Sequence, residues 1–395
     1  MRATKIIFLL LIFLITCDRP SNLASTAPDQ YASVTVPEPA SIETKAAWID
    51  SLFRQMACNN WFNGTVLYAE KGHLIYKNAF GYSKFKTRDS LNLNSAFQLA
   101  SVSKMITAMS IMILKEREVL DFEDTLQKFL PDFPYQGITI RHLLTHRSGL
   151  SRYMTLAHNK WPDKSIPLSN DDMLELFEKY KPAPYFSPDN GFHYCNTNYA
   201  LLASVVEKAT GMPFGKFVRE YIFLPLGMHD SFVYSLKNES GIPAYPPLEV
   251  MGHKNYRWRP YPVPDDYLNG VTGDKGVYAS VEDLFRFDCA LNDFALVSEK
   301  TLQQAFMPGS PKYWRRNDNY GFGWRIKTQE DSTVYHFGWW KGFRAYYIRD
   351  MAQGKTLIVL SNKEKGPGSA VLWNIVGDTL HPIRFQTREA LFSSL

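Results

Sequence analysis

The chain has 395 residues, 45% of them hydrophobic, enough for one large domain or two interleaved ones around a buried core, which excludes a disordered protein. Its 44 basic and 39 acidic residues leave a net charge of +5 spread along the sequence with no Lys/Arg block, so no nucleic-acid partner is expected. Besides Cys17 there are only Cys58, Cys195 and Cys289, an odd set without metal-like spacing that excludes a disulfide scaffold.

The first residues, MRATKIIFLLLIFLITCDRP, carry Arg2 and Lys5 and then an apolar run from Ile6 to Ile15. That run is too short to span a bilayer and has the shape of an export signal, assigned to 1–17. Leu14-Ile15-Thr16-Cys17 resembles a bacterial lipobox, which implies cleavage before Cys17 and its acylation. The expectation is a lipoprotein of the bacterial cell envelope, anchored to the membrane and facing the periplasm or exterior; the alternative is a plain secreted or uncleaved leader. Residues 18–45, rich in Pro, Ser, Thr and Ala, read as a flexible tether. A globular domain over 46–385 and a tail over 386–395 follow.

Within the domain, Gly64 to Ser83 reads as a hairpin turning at Glu70-Lys71-Gly72-His73. Helical patterns occupy 101–119, 171–180, 197–210 (ending at Gly211) and 214–223 (before Pro225). Strands return as GFGWRI, STVYHFG, FRAYYIRD and TLIVLSN, and a last helix is expected around 370–380. Strands at both ends with helices between predict a mixed α/β (α+β) fold. One antiparallel sheet is built from both termini and flanked by helices, with an inserted, mostly helical region at about 115–255.

The stretch FQLASVSKMITAMSIMIL raises the first chemical question. Ser101 and Lys104 are three apart and share a helix face, while Val102, Met105, Ile106, Met109, Met112 and Ile113 recur at core spacing. Lys104 is the only charge between Ala100 and Leu114. Taking an ammonium out of water is costly unless it is paired or loses its proton. Desolvation would favour a neutral amine, and Ser101 at the helix N-terminus would feel the positive end of the dipole. A serine beside such an amine is an activated nucleophile. The alternative is a lysine snorkelling to the surface beside an exposed serine.

Two later stretches decide between these readings. FHYCNTNYALL holds Tyr194-Cys195-Asn196, and VYHFGWWKGF holds His336-Phe337-Gly338. With FQLASVSKMIT as an S-x-x-K element, Tyr194-x-Asn196 as Y-x-N and His336-x-Gly338 as an H-x-G variant of K-T-G, the chain resembles the serine β-lactamase and penicillin-binding protein superfamily. Within it, the likeness is to the class C-like esterase and D-peptidase branch. ITIRHLLTHRSGL and GVYASVEDLFRF add to the likeness, which runs from about Trp48 to about Leu380.

The resemblance implies a β-lactamase/transpeptidase-like fold and a serine hydrolase without a cofactor. Ser101 would form the acyl-enzyme, with Lys104 and Tyr194 sharing its proton. Asn196 would donate to the substrate's amide or ester oxygen and help hold Lys104. The N–H groups of Ser101 and Trp339 would form the oxyanion hole, and Gly338 would let the substrate approach the strand edge. The substrate would be a small ester, a D-amino-acid amide or peptide, or a β-lactam. With His336 in place of a lysine and the Trp339 indole beside the oxyanion, uncharged esters or amides are expected to be turned over better than penicillins.

Other readings stay open or fall away. Cys195 reads as a small packed residue rather than a nucleophile. His142 and His146 are four apart but lack the intervening glutamate of a zinc helix. His193 either tunes Tyr194 or points away. A competing class is a non-catalytic lipoprotein that binds cell-wall peptide with the same fold. No oligomeric state follows from the sequence.

Overall fold

Strands Gly64–Glu70 (β1) and His73–Phe80 (β2) pair antiparallel. The two residues joining them, Lys71 and Gly72, both have positive φ (50° and 76°), the requirement of a tight turn that follows the strands' twist. The computed structural model describes residues 42–236, 248–256, 259–310, 318–327 and 332–378. In it the hairpin joins five strands from the other end of the chain: Asp318–Tyr320 (β3), Arg325–Lys327 (β4), Thr333–Trp340 (β5), Phe343–Asp350 (β6) and Lys355–Ser361 (β7). The order of the seven-stranded sheet is β3-β4-β5-β6-β7-β1-β2, with antiparallel pairing at every step and β1 against β7 in the register Gly64↔Ser361 to Glu70↔Lys355.

Both faces of the sheet are covered, which is why β1 and β7 read as nearly continuous apolar runs. Val66, Tyr68, Ile348, Leu357 and Val359 pack with Ile49, Phe53, Leu372 and Ile375, from helices Ile42–Cys58 (α1) and Ser369–Val376. The alternate residues Leu67, Ala345, Tyr347, Ile358 and Leu360 face the larger core. That core also holds helices Ser103–Glu116 (α2), Asn196–Thr210 (α3) and Val281–Asn292 (α4). Between α2 and the later strands lie further helices at Ile140–Leu144, Tyr153–Lys160, Asn170–Tyr180 and Phe214–Val218. Gly211 ends α3 with φ 68°, as its sequence position predicts.

Several boundaries differ from expectation. The tether drawn to residue 45 stops by Ile42, where α1 begins; buried Lys45 is bonded there to Glu70 and Asp378 and fixes the helix to the sheet. The strand expected as GFGWRI is a loop followed by Arg325–Lys327, because Gly323 (φ 82°) brings the loop backbone against Lys104 and Met105. The 101–119 helix is a 3₁₀ turn over Ala100–Val102 and then α2, ending at Glu116. The final helix is shorter than expected and starts at Ser369. The leader at 1–17, the tether through 41 and the tail at 386–395 lie outside the described residues. Among the described residues no helix is long and apolar enough to cross a membrane.

Candidate active site

Ser101 sits in the sharp turn between the short strand Phe97–Gln98 and α2. Ala100, just before it, has φ +50°, an uncommon conformation for a residue with a Cβ and one that persists only where its surroundings impose it. The surroundings do impose it: Leu99 N–H donates to Val277 O at 2.9 Å, and β5 crowds the turn from the other side. One helical turn on, Lys104 is 0% exposed. Its Nζ donates to Ser101 Oγ at 3.2 Å and to the backbone carbonyl of Asp274 at 2.8 Å. It lies 5.2 Å from the centroid of the Tyr194 ring and 5.7 Å from that of Tyr199. Among the described residues it has no carboxylate partner.

Tyr194 and Asn196 are brought to this point by the start of α3, whose cap is Cys195. His146, fully buried at φ +58°, holds that start in place: its Nδ1 accepts from Cys195 N–H at 3.2 Å and contacts Asn198 Nδ2 at 3.0 Å. Burial keeps the His146 ring neutral by pushing its pKa well below the usual histidine value, with the charge of Lys104 acting in the same direction. His146 thus has a structural task that the spacing to His142 does not reveal; His142 closes a capping box with Thr139. Cys195 is buried, its thiol pKa raised by desolvation. His193 lies beside Arg152, 3.3 Å from its Nη2, with its pKa lowered by burial and then by that charge.

Asn196 does not reach Lys104 as expected; the carbonyl of Asp274 takes that place. Among the described residues, Asn196 Nδ2 rests only on Met154 Sδ at 3.8 Å, a weak acceptor, and its buried Oδ1 has no partner. Beside it opens a cavity of about 280 Å³ lined by Arg152, Tyr153, Met154, Tyr194 and Asn196. Ser151 Oγ and His193 Nδ1, on the two segments that wall this cavity, are also buried without a partner among the described residues. Unpaired buried polar groups are costly, and several around one cleft mark a place made for a ligand.

The third motif lies on β5. Its pairing to β4 ends at Tyr335↔Arg325, so the edge beyond is left to the Ser101 turn. Gly338 faces that turn: a Cβ there would stand 2.1 Å from Leu99 O. Its lack of a side chain lets the nucleophile's own backbone approach, a contact that the expected role in substrate approach does not include. The pleat turns neighbouring side chains the opposite way. Phe337 packs on the α1 face, and the Trp339 indole, 58% exposed, lies under the Arg344 guanidinium 4.8 Å away. The indole is therefore not beside the oxyanion as expected, although the Trp339 backbone still runs along the open edge.

His336 is 1% exposed and both its nitrogens are taken. Nδ1 is 3.0 Å from the Phe337 carbonyl, which can only accept, so Nε2 accepts from the Tyr320 hydroxyl at 3.0 Å. Burial first, then the charges of Arg325 and Lys104, push its pKa well below the usual value. His336 is a neutral brace behind the site. The permanent charge is elsewhere: the Arg325 guanidinium stacks 5.0 Å from the Tyr194 ring centroid and has no carboxylate partner among the described residues. Sequence reasoning missed Arg325 because nothing local links the first residue of β4 to Tyr194. Arg325 thus adds a cation beside Tyr194 that the expectation built on His336 alone does not include.

A serine bonded to a buried amine, a phenol close by, an open strand edge and a polar cleft make an arrangement suited to nucleophilic attack on a carbonyl. A family model described as Beta-lactamase matches residues 49–378. The chain is 38% identical over 339 residues to penicillin-binding protein 4* of Bacillus subtilis (strain 168), covering 82% of this chain and 73% of that protein. It is 25% identical over 334 residues to a D-aminopeptidase of Cereibacter sphaeroides, covering 82% of this chain and 61% of the relative's length. The solved structure of a penicillin binding protein from Bacillus halodurans superposes with a TM-score of 0.70 at 25% identity, over 82% of this chain and 98% of that one.

Proposed function

The chain belongs to the beta-lactamase family of serine hydrolases and has its fold, and from that premise we propose an exported hydrolase that forms an acyl-enzyme on Ser101. Ser101 Oγ attacks the substrate carbonyl carbon while its proton passes to the Lys104–Tyr194 pair. The N–H groups of Ser101 and Trp339 receive the developing oxyanion. The same pair returns the proton to the departing amine or alcohol, and water then releases the acid. The observation that carries this reading is Lys104 Nζ, buried with no counter-ion among the described residues, 3.2 Å from Ser101 Oγ.

Esters, D-amino-acid amides or peptides, and β-lactams all fit this chemistry. Asn196 favours acyl donors that themselves contain an amide, because an amide group satisfies its unpartnered Oδ1 and its weakly held Nδ2 together. The names of the relatives, a penicillin-binding protein and a D-aminopeptidase, support the same class. The test is an intact-mass spectrum, followed in time, after exposure to aryl acetates, N-acyl-D-amino-acid aryl esters, D-Ala-D-Ala peptides and penicillins. An acyl adduct on Ser101, formed faster with N-acyl-D-amino-acid esters than with plain acetate esters, is the expected result. Binding without an adduct from any of them overturns the enzyme reading in favour of a peptide-binding lipoprotein.

The lipobox-like end of the leader supports a lipid anchor at Cys17 and a domain that faces the periplasm or exterior. The wild-type protein is expected in the membrane fraction and Cys17→Ser in the soluble one. Equal partitioning of the two forms removes the anchor and leaves a secreted enzyme.

A further inference from the structure

A second buried lysine lies directly behind the first. The carbonyl that holds Lys104 belongs to Asp274, whose carboxylate is buried with the residue at 1% exposure. Lys275, 3% exposed, stands with Nζ 3.3 Å from Asp274 Oδ1. It also donates to the Tyr153 hydroxyl at 2.7 Å and to the carbonyl of Val271 at 3.2 Å. Tyr153 in turn donates to Asp274 Oδ2 at 3.2 Å. Burial drives the Tyr153 hydroxyl's pKa well upward, so it stays protonated and able to make that bond. The Lys275 Nζ lies 5.3 Å from the ring centroid of Trp340, at the end of β5, and so also touches the strand that carries the third motif.

A buried carboxylate needs a cation or a set of donors. Asp274 has two lysines in its neighbourhood, and the choice between them matters for the chemistry. Lys104 meets the Ser101 hydroxyl, the Asp274 carbonyl and the rings of Tyr194 and Tyr199. The ionisable groups whose fields it shares include His146 and His336, both held neutral, the Cys195 thiol, whose pKa burial raises, and Lys275. Were Asp274 to pair with Lys104, the ammonium would be locked in an ion pair and could neither face Ser101 nor release and take up its proton. The two bonds from Lys275 and Tyr153 turn the carboxylate the other way.

We propose that Lys275 is a positioning residue for Lys104: by occupying the Asp274 carboxylate, it leaves the loop to offer Lys104 only a carbonyl, so that Lys104 Nζ is directed at Ser101. The proposal rests on the acyl-enzyme reading and extends it to a residue outside the three motifs. A purely structural ion pair, fastening the 271–276 loop to the helix Tyr153–Lys160, predicts different behaviour in one respect. Both readings let the loss of one charge be repaired by the loss of the other, but a structural pair gives no reason for the pH profile of acylation to move.

The experiment measures acylation by an activated ester over pH 5.5 to 9.5 in wild type, Lys275→Met, Lys275→Arg and the double variant Asp274→Asn/Lys275→Met, with thermal midpoints for each. Lys275→Met is expected to lose about a hundredfold in kcat/KM, because an uncompensated carboxylate beside Lys104 holds its proton and its position. Its pH profile moves to higher pH for the same reason. The double variant keeps the backbone carbonyl, removes both charges, and returns to within about tenfold of wild type with the wild-type profile. Lys275→Arg keeps the charge and the profile. If Lys275→Met does not fold, the double variant decides alone by the same criterion. A double variant that is folded but as slow as Lys275→Met, one that fails to fold, or a Lys275→Met profile that does not move assigns the pair to the scaffold and overturns the proposal. Failure of the acyl-enzyme reading shows separately, as a wild type that forms no adduct.

Discussion

Ser101→Ala is expected to hydrolyse an activated ester at less than about one hundredth of the wild-type rate, because covalent catalysis has no substitute for the missing oxygen. The fold should survive. Ser101 is only partly buried, and its Oγ is bonded within the protein to Lys104 Nζ, which keeps its stronger bond to the Asp274 carbonyl. Removing one hydroxyl at such a place changes stability by about 1 kcal/mol or less. Three measurements check this together: rate, thermal midpoint and intact mass after substrate. A folded Ser101→Ala that still gains the acyl mass would move the nucleophile elsewhere and sink the assignment.

What could be read from the chain follows from which features are local. Ser101 and Lys104 are one helical turn apart, so spacing alone puts them together, and Tyr194 and Asn196 flank the cap of one helix start. The sheet was legible for a similar reason. Alternation and turn residues mark β1, β2 and the last three strands, and their closure through β1 against β7 follows from strands at both ends of the chain. Helix α1 was missed, although Ile49, Leu52, Phe53 and Met56 carry its helical period, because the tether composition was extended over its first turn. The helix α4 was seen only as a family-like stretch, although Ser280 caps it by accepting from Asp283 N–H.

The illegible part is the contact between distant segments. Arg325 reaches the Tyr194 ring, Lys275 reaches Tyr153 and Asp274, and His146 reaches the cap of α3, all across long separations in the chain. The direction of the Trp339 indole was in principle accessible: once Gly338 is known to face the nucleophile, the pleat sends residue 339 to the other face. The expected preference for uncharged substrates uses the indole's bulk and the neutrality of His336. The indole lies on the other face and Arg325 adds a cation beside Tyr194, so the neutrality of His336 is what still supports it.

Gly338→Ala tests the other half of the site, the contact between the third motif and the nucleophile's turn. A Cβ at this position would lie 2.1 Å from Leu99 O and 3.2 Å from Ala100 Cβ, the first far inside contact distance and with backbone that has no rotamer to change. The turn cannot retreat freely. Leu99 N–H is bonded to Val277 O, the preceding Phe97–Gln98 strand is paired with residues 278–279, and Ala100 is already at φ +50°. The remaining response is for β5 and the Ser101 turn to separate. A displacement of about 1 Å at a reacting group costs on the order of a hundredfold in rate. The overpacking itself costs about 1–3 kcal/mol of stability. Gly338→Ala should therefore stay folded, with a lowered thermal midpoint, and lose about a hundredfold in kcat/KM. Gly368→Ala provides the control, since its Cβ would meet nothing within 4 Å and its φ is an ordinary −64°. If Gly338→Ala keeps more than a tenth of wild-type activity, the close approach of β5 to Leu99 does not set the position of Ser101, and the third motif acts on substrate alone.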